Sequence, residues 1–106
     1  MTVCLLSGYD VFVVEANIVR SEGPDAVIQY NLTHQGEDVI WEGIVLEQPI
    51  WNVILIGPNI EVEKKDRIIV LCKQNHILEK GQKVTVKGKF WKITPIGFVV
   101  VGEEVL

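Results

Sequence analysis

Lys83, Thr85, Lys87, Lys89 and Trp91 alternate with Val84, Val86, Gly88 and Phe90. In a β-strand such alternation sends the two sets to opposite faces. The second set reads as core. The first set puts three ammonium groups and an indole on one solvent face. That is the chemistry single-stranded nucleic acid asks of a protein: cations neutralise phosphates, and an aromatic plane stacks bases at about 1–3 kcal/mol each. Lys73 and Lys92 widen the stripe. Trp51, just after Pro49, is a second stacking candidate, although Val53 and Leu55 as face neighbours place it in the core. Trp41, flanked by Val39 and Val45, is expected in the core as well. Tyr30 is expected to pack with its hydroxyl near the rim. The competing expectation for Trp91 is that it folds over one end of the molecule while the lysines serve only solubility.

Other chemistry is poorly provided for. His34 and His76 are isolated, with no His-x-x-His and no cysteine at ligand spacing, so both read as surface or linker residues. There is no Gly-x-Ser-x-Gly and no glycine-rich phosphate loop before a helix. Asn31-Leu32-Thr33 fits a glycosylation sequon only formally. Cys4 and Cys72 lie too far apart in sequence to suggest a zinc knuckle and read as small apolar residues in a reducing, cytoplasmic compartment. No metal, cofactor or catalytic constellation is expected, and the chain does not read as an enzyme. Val3–Leu6 is too short and lacks the basic flank of a signal peptide, and no apolar run reaches the ~18–20 residues of a membrane span.

The charge is divided along the chain. Residues 1–63 carry ten acids and one base, Arg20, a net −9; residues 64–92 carry nine bases and two acids, a net +7. Glu103 and Glu104 bring the whole to −4. Such a split predicts either a basic stripe for a polyanion or an electrostatic contact with a partner. It is equally met if basic strands pair with acidic neighbours inside the fold.

At 106 residues the chain is expected to form a single domain. Runs of β-branched and aromatic residues recur, separated by turn residues, and no long 3.6-residue period stands out. Tyr9–Arg20 and Ala26–His34, joined through Glu22-Gly23-Pro24-Asp25, read as a β-hairpin occupying residues 1–36. Further strands are expected near Asp38–Leu46, Ile50–Ile56, Arg67–Lys73, Lys83–Lys92 and Gly97–Val101. Gln74–Lys80 reads as one or two helical turns ended by Gly81. The fold class is therefore all-β. Val39-Ile40-Trp41-Glu42-Gly43-Ile44-Val45 and Val84-Thr85-Val86-Lys87-Gly88-Lys89-Phe90 share a glycine at the same place, the device by which a small barrel bends its strands.

Over residues 37–106, about two-thirds of the chain, these segments resemble the OB-fold superfamily, a five-stranded Greek-key barrel. Val39-x-Trp41-x-Gly43-x-Val45 resembles its coiled first strand, Arg67–Lys73 its third, and Leu78–Phe90 its fourth; Gly97–Val101 would be the fifth. Similar segments occur in tRNA-anticodon-binding-like and replication protein A-like OB domains. Bacterial lipoprotein and periplasmic OB-folds share the pattern without binding nucleic acid. A second threading makes Val11–Arg20 the first barrel strand.

Two functions follow. In the first, the chain is a non-catalytic module that binds single-stranded DNA or RNA through Lys73, Lys83, Lys87, Lys89, Trp91, Lys92 and Trp51. In the second, it is a protein-interaction subunit or a homodimer in which acidic and basic halves meet. Three tryptophans and a mean hydropathy of +0.27 leave apolar surface for such a partner.

Overall fold

The structure, a computed structural model, describes residues 2–73 and 77–106; within 2–10 only the Tyr9 side chain is described. Two helices, α1 (Thr2–Ser21) and α2 (Pro24–His34), precede five strands: β1 (Asp38–Ile50), β2 (Val53–Gly57), β3 (Ile68–Cys72), β4 (Lys83–Thr94) and β5 (Gly97–Val105). The strands close into a barrel in the order β1-β2-β3-β5-β4. Neighbours are antiparallel except β3 and β5, which run parallel.

Closure depends on β1 serving two partners. Its first half, Asp38–Ile44, pairs with β4, and its second half, Ile44–Ile50, pairs with β2. The strand hands over beside Gly43, where an added Cβ would lie 2.5 Å from the Ile56 side chain and 2.8 Å from the Gly57 carbonyl oxygen. Gly88 plays the same part on β4: it borders a register shift against β5, and a Cβ there would lie 2.2 Å from the Val101 carbonyl oxygen. Only glycine admits such close backbone approach. Alternation then fills the interior. Trp41, Val45, Ile54, Ile56, Ile68, Val70, Val84, Val86, Phe90, Ile93, Phe98 and Val100 belong to one buried cluster.

The β-hairpin expected over residues 1–36 is instead a pair of helices, and Val11–Arg20 is no barrel strand. The break between the helices is as the turn residues imply, with Gly23 at φ +109° and Pro24 in the first turn of α2. What decides helix over strand is packing. Tyr9, Phe12, Val13, Ala16 and Arg20 recur at helical spacing, and the four apolar members pack into or against the barrel core. Phe12 meets Trp41, Phe90 and Phe98 at ring-centroid distances of 5.1, 5.3 and 4.7 Å. Tyr9 packs edge-on to Trp41 and donates its hydroxyl to the Asp66 carbonyl. Burying this aromatic stripe outweighs the mild preference of valine and isoleucine for strands.

Arg20 anchors the far end of α1. Its Nη2 donates to the carbonyls of Lys65 (2.6 Å) and Thr94 (2.7 Å), its Nη1 lies 3.5 Å from Asp66 Oδ1, and its guanidinium carbon lies 4.9 Å from the Phe98 ring centroid. The helix is thus fixed to both connections at one barrel end. Ile77–Glu79 is irregular rather than helical, and Gln74–His76, the remainder of the short helix expected there except Lys80, lie outside the described residues.

Candidate functional site

Beyond Asp38 the edge of β4 has no strand beside it, because β1 pairs only as far as Lys89. Three other groups satisfy that edge. Phe90 receives its partners from Glu37 and Gly36 at 2.8 and 2.7 Å, and the Asn31 amide brackets Ile93, accepting from its N–H at 2.8 Å and donating to its carbonyl at 3.4 Å. The sequon asparagine is therefore a strand substitute whose amide is engaged. A bulge between Phe90 and Lys92 turns both Trp91 and Lys92 outward. Trp91 is 38% exposed, with the Lys92 ammonium 4.9 Å from its ring centroid. Together with Ile28 and Leu32 of α2 they line a cleft of about 160 Å³.

The lysines of β4 face outward as alternation requires, but they are interleaved with acids. Asp38 stands opposite Lys89 in the β1–β4 register and forms an ion pair with it, which raises the Lys89 pKa above its usual value. Glu104 stands opposite Lys87 in the β4–β5 register, with 4.0 Å between ammonium and carboxylate. Lys83 lines a separate cavity of about 330 Å³ that also contains Glu42, Thr85 and Tyr9. A single lysine stripe of free charge is not what the fold presents.

Trp41 is 5% exposed and core, as expected, whereas Trp51 is 59% exposed. The core expectation for Trp51 fails because residues 51–52 form a turn and β2 begins only at Val53; within the strand Ile54, Leu55 and Ile56 are all buried. The β2–β3 ladder pairs Val53 with Leu71, and the Cys72 N–H donating to the Asn52 carbonyl at 2.8 Å carries the pairing one residue further. Continued one step more, that register sets Trp51 across from Lys73. Gln48 holds the tip, donating to the Trp51 carbonyl at 3.2 Å and accepting from the Leu78 N–H at 3.0 Å. Trp51 and Trp91 are thus two separate exposed tryptophans, of which Trp91 has a lysine, Lys92, over its ring. From Lys83 to Trp91 along β4 is about 26 Å at 3.3 Å per residue, so the seven predicted residues do not form one compact site.

His34 closes α2, with its ring centroid 4.2 Å from that of Tyr30 and its Nδ1 at hydrogen-bond distance from Glu37. Burial, with the carboxylates of Glu15 and Glu37 added, pushes the Tyr30 phenol up from its usual value. Cys72 is buried and free, its thiol pushed up by burial; His76 and the Cys4 side chain lie outside what is described. Among the described residues no three His, Cys, Asp or Glu side chains gather where a metal could bind, and no helix is long and apolar enough to cross a membrane.

Sequence reasoning missed the exposed apolar residues of the helices. Val11, Val14 and Ile18 on α1, and Ile28 and Leu32 on α2, are each more than half exposed. Their signal was their spacing, obscured because the buried faces of the same helices are apolar too. A scan against protein-family models finds no match to the chain, and a comparison with curated protein sequences finds none either.

Proposed function

We propose that the chain is a non-catalytic, OB-like module that works by docking protein rather than by holding a polyanion. The strand order β1-β2-β3-β5-β4 with parallel β3 and β5 supports the OB-like reading. One observation carries the choice of ligand: Lys87 and Lys89 already face Glu104 and Asp38, while many large exposed side chains are aliphatic or aromatic. Charge matched within the fold releases few counterions when a phosphate backbone arrives. Exposed aliphatic residues in number, by contrast, mark a surface that a partner covers. The outer faces of α1 and α2, which carry Val11, Val14, Ile18, Ile28 and Leu32, are where such a partner would sit.

A second reading, binding of single-stranded DNA or RNA, is favoured by one feature. Trp51 stands exposed at the β1–β2 tip, next to the β2–β3 face that OB-type barrels use for oligonucleotides. Titration of fluorescein-labelled dT30 and U30 with the protein at about 50 mM salt separates the two. Protein docking predicts flat anisotropy and unquenched tryptophan up to about 50 µM protein. A saturable rise that Trp51→Ala removes and higher salt weakens would replace it with the second reading.

A further inference from the structure

The outer face of α1 and the cleft beside α2 are chemically complementary. On α1, Val11, Val14 and Ile18 recur at i, i+3 and i+7, forming one exposed apolar stripe. Glu15 and, just past the helix end, Glu22 fall on the same side and are exposed; Glu15 already accepts from the Tyr30 phenol, which leaves Glu22 as the carboxylate open to a partner. Arg20, the base of this segment, turns the other way into the barrel end. The stripe is therefore aliphatic and acidic with no cation of its own.

The cleft has the opposite character. Ile28 and Leu32 form one wall and Trp91 the other, and Lys92 stands at the rim. Among the described residues no carboxylate lies within ion-pair distance of Lys92; its ammonium rests over the Trp91 ring. An unpaired cation beside an apolar cleft fits an aliphatic helix face that carries a carboxylate. This chain supplies such a face itself.

We propose that the Trp91–Lys92 cleft of one copy receives the Val14–Ile18 stripe of a second copy, with Glu22 set against Lys92. This rests on the protein-docking reading above and names its partner. Like-with-like contact of two α1 faces is disfavoured, since it would oppose acids to acids. Exchange of stripe for cleft between two copies instead sets Lys92 against a carboxylate. If both contacts form at once the pair closes with two-fold symmetry, and if one forms the copies chain head to tail. The contact is small, so association in the micromolar range is expected.

Sedimentation equilibrium of the full chain from about 5 to 500 µM tests it, at about 50 and 500 mM salt. The expected result is concentration-dependent self-association that higher salt weakens. Lys92→Glu and Ile18→Asn each weaken it on the order of tenfold or more, and Lys92→Glu combined with Glu22→Lys regains part of the loss. Circular dichroism should be unchanged, because all three positions are at the surface. A wild type that stays monomeric at about 500 µM would overturn the proposal. So would association that Lys92→Glu and Ile18→Asn leave intact, since it would run through another surface. Neither result touches the oligonucleotide titration, which alone decides whether the docking reading stands.

Discussion

Arg20 is the one base among the first 63 residues, and the fold directs it inward against two backbone carbonyls, Asp66 and the Phe98 ring. A planar guanidinium reaches all four at once; the shorter lysine side chain, ending in a single nitrogen, cannot. Arg20→Ala is expected to destabilise the chain by about 2–3 kcal/mol in urea unfolding, as the loss of charge-assisted hydrogen bonds implies. Arg20→Lys should recover less than half of that. Tyr30 gives a pH signature at the same scale. Burial first, and the Glu15 and Glu37 carboxylates after it, raise its folded-state pKa. The fold therefore keeps the phenol proton after the unfolded chain begins to lose it near pH 10. The contribution is complete below about pH 10 and is lost as pH rises beyond it. Unfolding midpoints of wild type and Tyr30→Phe should accordingly keep a constant difference up to about pH 10, then shift against the wild type. A difference that stays constant to about pH 11 would contradict the assignment.

At the scale of elements, α2 acts as the missing neighbour of β4, through the two-point contact of Asn31 with Ile93. Asn31→Asp keeps the acceptor but sets a carboxylate against the Ile93 carbonyl, whereas Asn31→Ala removes both partners. Each is expected to cost about 1–3 kcal/mol, and hydrogen exchange at Ile93 should speed up in both. Unchanged exchange would show that α2 does not hold this edge. The strands were legible in the sequence because period-2 alternation is strict where one face is buried, as in Val84, Val86 and Phe90 against Lys83, Lys87 and Lys89. The glycines at 43 and 88 were legible for the same reason, each interrupting an alternating run. The helices were not. Residues 11, 14 and 18 are apolar on the outer side while 9, 12, 13 and 16 are apolar on the inner side, so no polar stripe marks the period. Ala26, Ile28, Tyr30 and Leu32 imitate strand alternation, although Val27 and Tyr30 are what pack against the core. Trp51 was misjudged because β1 runs past Pro49 to Ile50 and β2 begins only at Val53, so the indole stands in the turn rather than in a strand with a buried face.

At the scale of the molecule, folding meets the split of −9 and +7 along the chain at a few points only. Strands β1 and β5 bring Asp38 and Glu104 to Lys89 and Lys87, and Arg20 crosses to Asp66. Among the charges without an ion-pair partner in the described residues are Glu22 after α1 and Lys92 at the Trp91 cleft. Charge asymmetry in sequence left a polyanion stripe, a partner contact and internal pairing open, and only the register shows that Lys87 and Lys89 face acids of the same fold. One measurement bears on this account most directly. Sedimentation velocity of about 100 µM protein mixed with fluorescein-labelled dT30 at about 50 mM salt follows protein and oligonucleotide at separate wavelengths. The account predicts a protein boundary faster than the monomer's and an oligonucleotide boundary unchanged from dT30 alone. Oligonucleotide moving with monomeric protein would contradict it.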